Sequence, residues 1–264
     1  MAVGDTARST DVAASATSDA SDLDDFVFGT SESPQMETIL SELETMTKRS
    51  YGQYCGLSRA LEIIGERWAL LIVRDLLANP KREIDLRIGL PKIPADVLAA
   101  RLRELEAAGV VHRVGSQLPD DPARYELTEF GLELDAVVLG IGRWGARMLG
   151  DQREDEIVTA SSLVMAMRTT FQAQAAQGVH VSYEVRLGPI VFGLSVDDGV
   201  LHAAEGPLPG ADLTFEPGAA LKGLMSGEIT VAEVVADGSV PMTGDPALLT
   251  TFTELFHITD VSAV

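Results

Sequence analysis

Between residues 51 and 149, apolar residues recur at the three- and four-residue spacing that places them on one face of a helix. The spacing predicts one helix before the segment GERW and a second after it, which ends at Asn79 because the residue before a proline avoids the helical region. A short helix is predicted over residues 83–90 and a longer one over residues 94–108, with Gly109 just past its end. Leucines form a core-facing stripe on that longer helix, so its opposite side is expected to face outward.

Two strands and a long helix are predicted next. Residues 110–114 and 124–127 favour strands, and the wing, residues 115–122, connects them. The hydroxyl of Thr128 can cap a helix that is expected to continue to about residue 149. The apolar arc of that helix is too wide for one packing surface, so we expect it to contact both its own domain and a partner subunit. This order of elements is that of a winged helix-turn-helix, in which one helix enters the major groove of DNA.

The second half of the chain has a different pattern, with short strand-like runs separated by turn residues. A polar segment over residues 150–156 marks the expected domain boundary, and residues 157–264 are expected to form a second domain. A helix is predicted from residue 157 to about residue 174, followed by a largely antiparallel sheet with further helices, so the expected fold class is α+β. The predicted strands cover residues 179–187, 190–196, 200–203, 213–215 and 240–242, and the predicted helices cover residues 218–225, 230–236 and 246–256.

Charge is distributed unevenly along the 264 residues, whose net charge is −20. Residues 1–47 carry −9, residues 48–149 carry +1 and residues 150–264 carry −12. Residues 1–45 are rich in Ala, Ser, Thr and Asp and have few large apolar groups, so this acidic tail is expected to be disordered. The predicted winged helix-turn-helix domain, residues 46–150, is therefore near neutral between two acidic flanks, and such flanks repel phosphate.

The sequence offers little that indicates catalysis. The four histidines are scattered without metal-ligand spacing, and no phosphate-binding glycine loop, nucleophile elbow or dinucleotide fingerprint is present. We therefore expect no metal and no cofactor, and an enzyme is the less favoured of the open alternatives. Cys55 is the single cysteine and excludes an intramolecular disulfide; it is a candidate redox switch, although a small apolar residue is the simpler interpretation. No apolar run approaches the roughly 20 residues that cross a bilayer, so we expect no membrane association and a cytoplasmic location.

Residues 51–149 resemble the HxlR-type regulators, a bacterial winged-helix family related to the MarR group. The matching motifs include GERW at residues 65–68 and YELTEFG at residues 125–131. The resemblance implies a homodimer made by the terminal helices, and it implies that the helix over residues 94–108, here called the reading helix, enters the major groove of double-stranded DNA. The candidate DNA-binding residues on this helix and on the wing strands are Ala95, Asp96, Ala99, Arg101, Arg103, Arg113 and Arg124.

Residues 157–264 resemble the sterol-carrier-protein fold in the pattern of their sheet and in the segment LKGLMSGEITVAEVVADGSVPMTGDPALLTTFTELF. This resemblance implies an apolar tunnel for a lipid-like small molecule, and hence a ligand-binding or dimerisation domain. The candidate ligand-binding residues are Tyr183, Phe192, His202, Phe215 and Met225.

Three acidic residues argue against DNA binding. Asp96 stands near the start of the reading helix, and Asp120 and Asp121 lie in the wing, where phosphate contacts favour Lys or Arg. Two functions are therefore left open. The first is a DNA-binding transcriptional regulator that responds to a ligand through its second domain. The second is a winged-helix scaffold that has lost DNA binding and acts as a binding protein or enzyme for an apolar, polyketide- or lipid-like molecule.

Overall fold

The computed structural model of the protein describes residues 50–115, 123–148, 150 and 152–258. The acidic tail lies outside the described residues, and so do Asp120 and Asp121 of the wing. In the described part, helices with a two-stranded sheet come first, and a five-stranded sheet with helices follows. The α+β fold class predicted from the sequence is confirmed.

Four helices begin the described chain, each within a few residues of its predicted bounds. They are α1 (Gly56–Ile64), α2 (Ala69–Ala78), α3 (Glu83–Gly89) and α4 (Ala95–Ala107), so the reading helix is α4. Gly109 follows α4 with a φ of 71°, a left-handed conformation that glycine adopts without strain. The first core, as we call the apolar cluster of this half, includes Ile72, Val73, Leu86, Leu98, Leu102 and Leu105.

The wing strands β1 (Val111–Val114) and β2 (Arg124–Leu127) pair in an antiparallel arrangement, as predicted. A third segment, which the sequence pattern did not indicate, pairs with β2. Lys81, between α2 and α3, forms an isolated bridge with Tyr125. The Lys81 N–H donates to the Tyr125 carbonyl at 3.0 Å, and the Tyr125 N–H donates to the Lys81 carbonyl at 2.7 Å. A single bridging residue has no alternation, so hydrophobic periodicity cannot reveal it.

The sequence predicted one continuous helix after Thr128, and this prediction was wrong, because the structure has two helices there. Its first turn is α5 (Glu129–Leu132), where the Thr128 hydroxyl accepts from the Gly131 N–H at 3.0 Å, and its main part is α6 (Asp135–Ala146). Gly131 packs so closely on the carbonyl of Val110 that an added Cβ would lie 2.0 Å from that oxygen. Because α5 is held against the wing sheet in this way, the chain turns before α6 packs against α2.

The second half begins with α7 (Ala160–Thr170), which is shorter than the helix predicted over residues 157–174. Capping fixes its start, because the Thr159 hydroxyl accepts from the Ser162 N–H while the Ser162 hydroxyl accepts from the Thr159 N–H. The later elements follow the predicted order; they are β3 (His180–Leu187), β4 (Ile190–Asp197), β5 (Val200–Glu205), β6 (Leu213–Phe215), α8 (Ala220–Ser226), α9 (Val231–Asp237), β7 (Met242–Gly244) and α10 (Ala247–Leu255).

The strands of this half form a sheet in the order β5-β4-β3-β6-β7. Only the pair β3 and β6 is parallel, so the prediction of a largely antiparallel sheet is confirmed. One face of the sheet carries a second core whose aromatic rings contact one another at centroid distances from 4.9 to 6.5 Å. These rings belong to Tyr183, Phe215, Phe252 and Phe256.

Helix α7 packs against both halves of the molecule, and the described residues from 51 onward form one compact unit. Met165 of α7 contacts the first core, whereas Ala78 at the end of α2 belongs to the second core. The Arg168 guanidinium of α7 donates to the carboxylate of Asp135 on α6 at 2.6 Å. The division into domains over residues 46–150 and 157–264 stays a prediction, since α7 lies after the boundary and contacts elements on both sides of it.

Candidate nucleic-acid interface

The reading helix, α4, has one buried side and one open side. Its three buried leucines fill the first core, which fixes the rotation of the helix about its axis. The outward side is the one that the sequence predicted, so the backbone places the candidate contact residues where an external partner can reach them. These residues are Ala95, Asp96 and Arg103, which are exposed, and Ala99, which is half-buried.

The two arginines of α4 differ in what they contact. The side chain of Arg101 is 13% exposed and forms ion pairs with Glu104 and, at 3.8 Å, with Glu66. It therefore ties α4 to the segment between α1 and α2. Arg103 is exposed, and within the described part of the chain it has no ion-pair partner. Of the two, Arg103 is the one available to a phosphate.

Arg113 on β1 is held in place by a ring on β2. Its Nη2 donates to the Tyr125 hydroxyl at 2.5 Å, and its guanidinium carbon lies 5.2 Å from the centre of the Tyr125 ring. The bond to Tyr125 raises the pKa of Arg113, and the carboxylates of Glu106 and Glu83 add to the effect. Arg124, at the start of β2, is exposed. The register pairs Arg113 with Tyr125 and Arg124 with Val114, so the two arginines lie on opposite faces of the wing sheet, and Arg113 is the one anchored by a ring.

Negative charge shares this surface. Asp96 stands exposed in the first turn of α4, where it also interacts favourably with the positive end of the helix dipole. Glu106 is exposed near the other end of α4, and Glu126 on β2 pairs with His112 at 2.8 Å. The described surface is thus mixed in sign, in agreement with the near-neutral charge of this part of the sequence.

Helix α6 and the turn after it expose an apolar stripe next to the side of the helix that carries Val138 and Gly142. Within α6 itself, Val138 is the buried apolar residue, and Gly142 lies against Thr169 of α7. The exposed positions recur at helical spacing, and the largest of them, Trp144, is 64% exposed. The stripe consists of Val137, Ile141, Trp144 and Met148. Large apolar side chains in a continuous row are typical of a surface that is covered by a partner.

A groove of about 220 Å³ lies where α2, the turn after α3 and the segment before α7 meet. Its lining includes the apolar side chains of Trp68, Leu71 and Ile157. The Lys92 ammonium and the Asp155 carboxylate, which are 2.5 Å apart, stand at its edge. Sequence patterns did not indicate this groove because its walls come from separate segments. It is smaller than the roughly 300 Å³ at which sites for drug-sized ligands begin, and we assign it no ligand.

The structure does not bring the five predicted ligand-binding residues together. Tyr183, Phe192, Phe215 and Met225 are buried side chains of the second core, and the Tyr183 hydroxyl donates to the Leu248 carbonyl at 3.1 Å. Burial raises the pKa of Tyr183 well above its ordinary value.

His202 is exposed and lies on the other face of the sheet, because its register partner Ser195 alternates with the buried residues of β4. Four of the five candidate ligand-binding residues therefore belong to one core and His202 lies on the opposite face of the sheet, and their role in ligand binding stays a prediction.

Cys55 stands exposed at the N-cap of α1. The backbone N–H groups of Ser58 and Leu57 favour the thiolate and lower the pKa of Cys55. Arg59, one turn further along α1, pairs with Glu62 at 2.8 Å. The thiol is thus accessible and mildly activated by backbone donors, and its redox role stays a prediction.

In the ranges that the structure covers, no group of three or more His, Cys, Asp or Glu side chains is arranged to hold a metal ion. Among the helices of those same ranges, none combines the length and the apolar character needed to span a membrane.

Comparison with known proteins identifies relatives of the first half. Residues 63–153 match the HxlR-like helix-turn-helix family. The Bacillus subtilis HTH-type transcriptional regulator YdeP is 39% identical over 94 residues, which are 35% of this chain and 73% of YdeP. YtcD of the same organism is 34% identical over 110 residues, 40% of this chain and 86% of YtcD. A crystal structure of an HTH-type regulator called ytcD is 32% identical and covers 37% of this chain and 99% of its own, with a TM-score of 0.35.

The arrangement of α1 to α4 with the wing sheet defines a winged helix-turn-helix protein. Within that class, the chain belongs to the HxlR-like helix-turn-helix family of transcriptional regulators. The family match ends at residue 153, so the sterol-carrier-protein resemblance of residues 157–264 stays a prediction.

Proposed function

We propose that this protein regulates transcription by binding double-stranded DNA through α4 and the wing strands. The observation that carries the proposal is the open side of α4, where Arg103 is exposed and free of ion pairs in the described chain while the leucines opposite are locked in the core. Arg113 and Arg124 extend the cationic positions onto the wing strands. Arginines so placed suit contacts with phosphate and with guanine edges.

The proposal includes a cytoplasmic homodimer. The apolar stripe of α6 supports it, because covering Trp144 and its neighbours removes a continuous apolar surface from water. A two-fold dimer places two copies of α4 on one side, and the DNA site is then a near-palindrome with half-sites about one helical turn, or roughly 34 Å, apart.

A ligand response through the second half is the third part of the proposal. Its support is the position of α7, which contacts α2 and α6 on one side and the sheet of the second half on the other. A shift of the second half when an apolar molecule binds is therefore transmitted to the helices that carry the reading helix and the dimer stripe. Because four of the candidate ligand residues pack as core, such a ligand has to displace or reorder part of that core.

A second candidate function rests on Asp96. Its carboxylate is exposed at the start of α4, close to where DNA phosphates and bases lie in a helix-turn-helix complex. A protein that has lost DNA binding and instead binds or converts an apolar molecule tolerates this charge without cost. The net charge of −20 also favours this alternative.

Capture of genomic fragments by the purified protein at two salt concentrations separates the two functions. A regulator enriches a palindromic sequence at both concentrations, and general affinity falls as salt rises because phosphate contacts release counterions. Arg103→Glu is the matched control, since it reverses one charge on the open side of α4 and leaves the core intact. Enrichment of no sequence by the parent protein at low salt contradicts the proposal and favours the second function.

A further inference from the structure

Glu205, the last residue of β5 in the second half, contacts the first half directly. Its Oε2 accepts from the Lys81 ammonium at 2.6 Å, and its backbone carbonyl accepts from the side-chain amide of Asn79 at 3.1 Å. Ser161, in the first turn of α7, donates to Oε1 at 2.5 Å. Both carboxylate oxygens are thus engaged, and the Glu205 side chain is held in one geometry.

Lys81 is buried, with 8% of its surface exposed. A buried ammonium requires a compensating negative charge. Glu205 supplies it by direct contact, and the carboxylate of Asp75, which is fully buried at the end of α2, supplies a second attraction. The Arg74 guanidinium, the other cation of this cluster, is bound to Asp75 at 2.7 Å. Lys81 is therefore positioned between one carboxylate of each half.

The backbone of Lys81 belongs to the wing sheet, because it exchanges two hydrogen bonds with Tyr125. The hydroxyl and the ring of Tyr125 in turn hold Arg113. Direct contacts thus run from Glu205 through Lys81 and Tyr125 to Arg113, a cation of the wing strands, which we assign to DNA binding.

We propose that Glu205 is a positioning residue through which the second half sets the wing strands for DNA binding. The Glu205–Lys81 ion pair holds the Lys81–Tyr125 bridge, and the bridge holds Arg113. The inference rests on the proposed function, because the position of Arg113 matters to DNA affinity only if the wing strands meet DNA. The family match ends at residue 153, so Glu205 lies outside the part of the chain that resembles its relatives.

The first test measures hydrogen exchange of the backbone amides of Lys81 and Tyr125 in the full chain. Both amides donate in the bridge, so their exchange reports its opening. Glu205→Ala removes both side-chain acceptors and should accelerate exchange at the two positions about tenfold, within the range of typical coupling between sites. Glu205→Gln retains an acceptor for Lys81 and should show an intermediate acceleration.

A double-mutant cycle shows whether the effect passes through Lys81. Lys81→Met keeps the apolar stem and removes the ammonium, so it should loosen the Tyr125 amide as Glu205→Ala does. The combined variant should exchange no faster than either single variant, because both changes break the same contact. If the combined variant instead accelerates exchange by the product of the two single accelerations, Glu205 does not act through its ion pair with Lys81.

Glu184→Ala is the matched control for general loosening of the second half. Glu184 is a buried carboxylate of the same sheet, but it contacts Arg186 and the Leu208 N–H, both in the second half. It should leave the exchange of the Tyr125 amide unchanged. An equal acceleration in this control overturns the inference, as does an unchanged rate in Glu205→Ala.

The second test measures the affinity of Glu205→Ala for a duplex recovered by fragment capture. We expect binding about tenfold weaker than that of the parent, with Glu184→Ala close to the parent. If the parent binds the duplex and Glu205→Ala binds it with equal affinity, the inference about Glu205 is wrong and the proposed function still stands. A parent that binds no duplex overturns the proposed function, and the assignment of Glu205 to DNA binding falls with it.

Discussion

Gly89 lies directly against the carboxylate of Asp75, so that a Cβ added at Gly89 would stand 2.6 Å from Asp75 Oδ2. The other oxygen, Oδ1, accepts two hydrogen bonds from Arg74, whereas Oδ2 is buried and has no hydrogen-bond partner in the described structure. A buried carboxylate with one unsatisfied oxygen costs free energy. The absence of a side chain at position 89 lets α3 approach this oxygen closely.

Asp75→Asn should therefore stabilise the folded protein at neutral pH. Burial raises the pKa of Asp75, although Arg74 and Lys81 oppose the effect. A carboxyl whose pKa is raised by folding destabilises the fold above that pKa, and the penalty disappears as the pH falls and the group is protonated. We expect a gain in the free energy of unfolding of about 1 kcal/mol at pH 7 that shrinks toward pH 4.

Chemical denaturation of both proteins at several pH values measures the difference. Asp245→Asn is the control, because Asp245 is exposed. If the gain in the free energy of unfolding of Asp75→Asn instead grows as the pH falls, the burial of the Asp75 carboxylate is not its cause.

Trp144→Asp should convert the proposed dimer into monomers. Trp144 is 64% exposed in the single chain, so the substitution leaves the fold of the subunit intact, but it places a charge in the centre of the apolar stripe. Sedimentation or light scattering measures the mass. Val200→Asp, on an exposed strand residue of the second half, is the matched control and should not change the mass. If the parent protein is itself a monomer at micromolar concentration, the stripe has another use.

Asp96→Asn should raise the affinity for DNA of arbitrary sequence by about 1 kcal/mol, because it removes repulsion from phosphate and supplies a donor. The same change weakens the interaction of α4 with its helix dipole, so the melting temperature should fall slightly. Fluorescence anisotropy with a labelled duplex measures the affinity. Glu228→Gln makes the same charge change at an exposed site in the second half and controls for net charge.

A different outcome at a specific site assigns Asp96 a reading role. If Asp96 accepts from a cytosine amino group, Asp96→Asn weakens binding to that site and relaxes the choice at one base pair. Equal affinities of parent and variant for both kinds of DNA would show that Asp96 lies away from the interface.

Substitution of Arg101 should mainly lower stability, whereas substitution of Arg103 should mainly weaken DNA binding. Arg101→Ala removes ion pairs with Glu104 and Glu66 and should lower the free energy of unfolding by about 1 kcal/mol, since its side chain is 13% exposed. Arg103→Ala should leave unfolding within about 0.5 kcal/mol of the parent, as at most exposed sites, and weaken DNA binding. Thermal denaturation and anisotropy on the same samples check both. If Arg101→Ala instead binds DNA more weakly and is as stable as the parent, Arg101 has the role that we assign to Arg103.

Periodicity alone predicted most of the elements, because the rotation of α4 and the faces of the strands are set by which residues must leave water. The leucine stripe placed Asp96 and Arg103 outward, and the strand over residues 213–215 was located without error. The proline after Asn79 and the hydroxyl of Thr128 fixed two helix ends through local backbone chemistry. Each of these signals lies within a few residues of the element it defines.

Only the tertiary structure decided which residues that lie far apart in the chain are in contact. It made Arg101 an internal ion-pair partner, whereas Arg103 on the same helix has no ion pair among the described residues. It put Tyr183 and His202 on opposite faces of one sheet, because strand register, which the sequence leaves open, sets which residues are neighbours. It also joined Lys81 to Glu205 across 124 positions, and no local pattern marks a contact that exists only when two separate cores meet.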